Sequence, residues 1–162
     1  MHKAVDPDAL GFLIKDIARL MRAAFEREID LAALTVTSAE AKVLVYMARC
    51  GAVRQHVLAE QLGLAPMSMT CFLDRLEVAG LVVRNVDPDD RRAKIVSLTD
   101  AAQDTLVQIA AVGQKAHAVA MQGFSDEEQA MFRHLAMKLR SNLDAARQDA
   151  ACQCVAQKEL KR

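Results

Sequence analysis

Aromatic residues are scarce, at 4% of the 162-residue chain, with one tyrosine and no tryptophan. A core built without them rests on Ala, Leu, Val and Met, which suits helices packed closely on helices. Net charge of one sign is also missing, because 21 basic residues balance 21 acidic ones. That excludes a protein that coats nucleic acid by bulk charge. It does not exclude site-specific DNA binding, which needs basic groups only where phosphates lie. Long apolar runs are absent. The longest covers residues 43–48, far short of a membrane span. The start, Met1-His2-Lys3-Ala4-Val5-Asp6-Pro7, lacks the apolar stretch of a signal peptide. The expected location is the cytoplasm, with no membrane partner.

Catalytic motifs are missing too. There is no Ser/His/Asp arrangement, no phosphate loop, no HExxH-type metal motif and no carboxylate pair in a plausible cleft. The four histidines, at positions 2, 56, 117 and 134, are scattered. An enzyme is therefore not expected. The cysteines are Cys50, Cys71, Cys152 and Cys154, and in a reducing compartment they are free thiols. Only Cys152-Gln153-Cys154 is closely spaced, and no Cys/His motif stands beside it. Neither a metal nor a cofactor is expected.

What is present is helical periodicity. Leu10, Leu13, Ile14, Ile17, Met21, Ala24 and Phe25 recur at helical spacing over residues 8–34. So long a helix in so small a domain is expected to pack on more than its own subunit. Thr37-Ser38-Ala39-Glu40 is a capping box opening a second helix, which Cys50-Gly51 closes. A short helix over 54–62, the connection Gly63-Leu64-Ala65 and a helix from Pro66 to position 79 follow. The period then changes. Residues 81–86 and 93–98 read as two strands around the turn cluster Asp87-Pro88-Asp89-Asp90. Helices over about 100–122 and from the capping box Ser125-Asp126-Glu127-Glu128 complete the chain. The last carries an apolar stripe, Phe132, Leu135, Leu139, Leu143, Ala146 and Ala150, fit for core or a dimer seam.

Short helix, glycine-containing turn and second helix make a helix-turn-helix, and the hairpin adds a wing. A helix fits the major groove of B-DNA, and a hairpin tip fits the neighbouring minor groove. On the helix from Pro66, Met69, Phe72, Leu73 and Leu76 share a core side. Met67, Ser68, Thr70, Cys71, Asp74 and Arg75 face elsewhere. Asp90-Arg91-Arg92 lies at the hairpin turn, with Lys94 on the returning strand and Arg84 on the outgoing one. Arginine is favoured in a narrow minor groove, and a neighbouring aspartate can orient it. The DNA-binding set is thus Met67, Ser68, Thr70, Cys71, Arg75, Arg84, Asp90, Arg91, Arg92 and Lys94.

Three strings carry a resemblance. They are Leu58-Ala59-Glu60-Gln61-Leu62-Gly63-Leu64, Leu73-Asp74-Arg75-Leu76-Glu77 with Gly80-Leu81-Val82, and Asp87-Pro88-Asp89-Asp90-Arg91-Arg92-Ala93 leading to Val96-Ser97-Leu98-Thr99. In this order they resemble the multiple-antibiotic-resistance regulator (MarR) family. The resemblance implies a mainly α fold with a small β-hairpin wing. It divides a single 1–162 domain into a DNA-binding lobe at 35–99 and dimerisation helices at 8–34 and 100–162. It implies a ligand-responsive repressor, acting as a homodimer on a pseudo-palindromic operator in double-stranded DNA. Arg92 becomes the minor-groove arginine, Asp90 its orienting partner, and Ser68 and Thr70 DNA-touching positions. Cys71 departs from a frequent family arginine and cannot contact guanine bidentately.

Relatives are released from DNA by phenolic or lipophilic acids, so a small aromatic or phenolic acid, or its thioester, is the expected effector. The candidates for its contacts are Phe12, Lys15, Asp16, Arg19 and His117. Two other readings stay open. Oxidation of Cys71 could block docking, making a thiol switch. The winged fold could also serve protein interaction without DNA.

Overall fold

The computed structural model describes residues 9–159, with side chains through residue 146. Six helices and a small sheet are found in it. They are α1 (Leu10–Leu31), α2 (Ser38–Cys50), β1 (Val53–Arg54), α3 (Gln55–Leu62), α4 (Pro66–Val78), β2 (Val82–Val86), β3 (Lys94–Leu98), α5 (Ala102–Ala120) and α6 (Asp126–Glu159). The mainly α architecture with a hairpin wing is as expected. The chain divides into two units, residues 1–120 and 121–162. No described helix is long and apolar enough to cross a membrane.

Local chemistry starts each element where the sequence marks it. Thr37 caps α2 and its box with Glu40 is complete: Glu40 N–H donates to Thr37 Oγ1 at 3.3 Å, and Thr37 N–H to Glu40 Oε2 at 2.8 Å. Glu40 is nonetheless 4% exposed, deep for a carboxylate. Its oxygens are satisfied there, because Thr37 Oγ1–H also donates to it, at 2.9 Å, and Arg75 Nε at 2.5 Å. Glu40→Ala should therefore lower stability by about 1–3 kcal/mol, read from the urea midpoint at neutral pH.

Gly63 makes the tight turn of the helix-turn-helix. Its φ of 62° is left-handed, and Leu64 N–H returns to Ala59 C=O at 2.9 Å. Pro66 then opens α4, where a missing N–H costs nothing. The apolar side of α4 packs as its spacing predicts: Met69 and Leu73 are 0% exposed and Leu76 1%. They meet Leu44, Met47, Leu58 and Val96 in one core.

The sheet differs from a two-stranded hairpin. β3 is central, with β2 on one side and β1 on the other, all antiparallel. Val53 opposes Val96 and Arg54 opposes Ile95, so two residues before α3 tie the helix-turn-helix to the wing. A two-residue strand has no period to read, and the sequence treats Arg54 as helical. Here Arg54 stands at the N-cap of α3 instead.

In the 121–162 unit, Ser125 and Glu128 make the second capping box, at 3.2 and 2.9 Å. From there α6 runs 34 residues. The side chains of Cys152 and Cys154 lie outside the described residues.

Candidate nucleic-acid interface

Start with α4. No side chain caps it, and the first intrahelical bond runs from Met69 N–H to Ala65 C=O. The Met67 and Ser68 amides therefore point outward as donors, at the end of the helix that favours anions. Met67 is 86% exposed, and Cys71 is a free, exposed thiol. Arg75 is half committed: it binds Glu40, lies 5.4 Å from the Phe72 ring centre, and keeps 54% of its side chain exposed.

Thr70 is hydrogen-bonded within the fold. Its hydroxyl donates to Pro66 C=O at 3.0 Å and accepts from Gln55 Nε2 at 2.9 Å. The hydroxyl fastens the first turn of α4 to the start of α3.

Arg84 is likewise spoken for. Its guanidinium pairs with Asp74 at 2.7 Å and with Glu77, and its amide donates to Glu77 Oε1 at 3.2 Å. Its side chain is only 20% exposed. The Glu77 hydrogen bond holds Arg84 above its ordinary pKa and, reciprocally, Glu77 below its own. Arg84 clasps α4 to β2.

The wing tip keeps its cations outward. Arg91, Arg92 and Lys94 are exposed. Asp90 does support Arg92, but through the backbone: its Oδ1 accepts the Arg92 amide at 3.0 Å. That bond shapes the turn on which Arg92 stands. Arg92 and Lys94 line a cleft of about 240 Å³ together with Gln55, His56, Pro66 and Met69. The start of α4 and the wing thus face one space. Gln55 and His56 carry no motif, and only folding shows them there.

Asp87 anchors the wing's base. It is 1% exposed, accepts the Asp89 amide at 2.8 Å and pairs with Arg54 at 2.5 Å. The Asp89 amide foremost, then Arg54, hold its carboxyl below the usual carboxylate range, against the opposing effect of burial. A depressed carboxylate pKa stabilises the fold above the unfolded value of about 3.9, and that contribution disappears as pH falls through the native value. Thermal midpoints of the wild type should drop between pH 5 and 3 more steeply than those of Asp87→Asn. Parallel curves would remove Asp87 from the acid transition.

A second cavity, about 760 Å³, lies among α1, α2 and α5. Met21, Phe25, Val45, Leu106 and Ile109 line it, with Arg22, Lys42 and Arg49 among the polar residues. Phe12, Lys15, Asp16, Arg19 and His117, the expected ligand contacts, are not among the residues that line it. Phe12, Lys15 and Asp16 lie nearer the start of α1, and Arg19 points about 100° round from Ala18. Asp16 and Arg19 pair with each other in solvent at 3.2 Å. His117 lies one turn past Gly113, the last lining residue of α5.

A helix-turn-helix followed directly by a β-hairpin, with cations at the hairpin tip, defines a winged helix-turn-helix protein. Residues 36–94 match the MarR family model. The fold is similar to a crystal structure of MarR, with TM-score 0.77 at 24% identity, over 92% of this chain and 98% of that one. It is similar to a MarR-family transcriptional regulator from Rhodococcus sp. RHA1, with TM-score 0.71 at 26% identity, over 84% and 95%. A MarR variant from E. coli complexed with operator DNA gives TM-score 0.67 at 26% identity, over 82% and 94%. The match covers the helix-turn-helix and the wing as far as Lys94, within a fold similar to that of MarR-type structures.

Proposed function

We propose that this chain is a cytoplasmic transcription regulator that binds a pseudo-palindromic operator as a homodimer. In this reading α4 enters the major groove, and the β2–β3 tip enters the adjacent minor groove. The carrying observation is the 240 Å³ cleft, where exposed Arg92 and Lys94 stand beside the uncapped start of α4. One phosphodiester strand separates the two grooves, and this cleft lies between the two elements that would enter them.

Apolar surface supports the dimer. Leu13, Ile14, Ile17 and Leu20 on α1 are 41–56% exposed. In the other unit Phe132, Leu135 and Leu143 are 46–64% exposed. Stripes of this size on helices mark surfaces made for a partner.

The 760 Å³ cavity is the effector site in this reading. Its apolar walls and its cations Arg22, Lys42 and Arg49 suit an aromatic or lipophilic acid, or a thioester of one. Repression follows from a dimer straddling a promoter.

Footprinting on the DNA upstream of its own gene tests the reading. Two half-sites about one helical turn apart are expected, with affinity that falls steeply with salt. At least one of a panel of aromatic acids and thioesters should release the protein. A footprint without two-fold symmetry, or affinity indifferent to salt, would leave the winged fold serving protein contacts instead.

A further inference from the structure

Arg54 and Gln55 are neighbours at the junction of β1 and α3, and their side chains grip different elements. Arg54 Nε donates to Asp87 Oδ2 at 2.5 Å. Asp87 in turn accepts the Asp89 amide on Oδ1, and its own amide donates to Ala93 C=O at 3.1 Å, closing the wing's base. Gln55 Nε2 donates to Thr70 Oγ1, whose hydroxyl donates to Pro66 C=O in the first turn of α4. Arg54 occupies the N-cap of α3 yet makes no side-chain cap bond there. A Ser, Thr or Asp would cap that helix, so the position gives up its local role for the long-range one.

We propose that the Arg54-Gln55 dipeptide is a positioning element for DNA docking. It fixes the wing relative to the recognition helix, so that both meet their grooves in one step. This rests on the DNA-binding reading above. Two contacts reinforce each other only when the linkage lets both engage at once. A wing released from Asp87 pays for its own ordering on the DNA, and Arg92 then contributes less.

The test uses the full chain and a duplex that the wild type selects from a random-sequence pool. Affinities and salt slopes are measured for Arg54→Gln, Gln55→Ala and Asp87→Asn, each with and without Arg92→Ala. Fold is checked by circular dichroism and the urea midpoint. Each single variant should bind roughly tenfold more weakly with the salt slope of the wild type. Combined with Arg92→Ala, the losses should fall short of multiplying by about threefold or more, which a mere loss of stability would not produce. The exchange of charges, Arg54→Asp with Asp87→Arg, should recover part of the affinity.

Fully multiplicative losses, unchanged affinity, or a salt slope reduced by about 0.9 (the mark of a lost phosphate contact) would overturn the proposal. In each case wild-type binding stands. If the wild type selects no duplex, the DNA-binding reading fails first and takes this one with it.

Discussion

Arg92→Ala should weaken operator binding by about 1–3 kcal/mol, a factor of roughly 5 to 150 in Kd. The chain should stay folded and dimeric. Arg92 is exposed, and among the described residues no carboxylate pairs with its guanidinium. Asp90 spends its oxygen on the Arg92 amide. The side chain is therefore held at the tip without being neutralised, and it meets DNA without first breaking an ion pair. A narrow minor groove, where the negative potential is strongest, supplies the attraction. Arg84→Ala is the natural control. Its loss should appear in the urea midpoint, because Arg84 bonds Asp74 and Glu77 rather than solvent. Anisotropy titrations at one fixed salt concentration separate the two effects. Equal affinity for wild type and Arg92→Ala would remove the wing from the minor groove.

Much of this site is legible in the sequence because its signals are local. The capping box Thr37-Ser38-Ala39-Glu40, the glycine at 63 and the proline at 66 each act within a few residues of themselves. They place α2, the turn and α4 before any packing is known. The wing follows from a change of period and a cluster of turn formers. What stays hidden depends on contacts across the chain. Arg54 and Asp87 lie 33 residues apart, and nothing in either neighbourhood announces the other. Arg84 and Thr70 look like free surface groups because their partners come from packing α4 on β2 and on α3. Glu40 reads as a cap alone, and only the fold brings Arg75 to its second oxygen, 35 residues away. The cavity among α1, α2 and α5 is hidden for the same reason. Helical spacing finds the apolar stripe of α1, but not which stretch of it α2 and α5 leave uncovered.

That stripe carries the largest effect expected of any substitution. Leu13→Glu combined with Ile17→Glu should convert the dimer to a monomer in sedimentation velocity. Operator affinity should fall by about 10²–10⁴, because each half-site must then be bound without the tether of the other. Both residues are exposed, 42% each, and absent from the core around Leu44, Leu58 and Leu73. Introducing carboxylates there costs little within one protomer but buries unpaired charge in a seam. Binding to a single half-site should persist weakly, with the steep salt dependence of phosphate contacts. A variant that still sediments as a dimer would place the seam on other residues. A true monomer that binds the full operator as tightly as the wild type would refute cooperation between two copies, and with it the palindromic site.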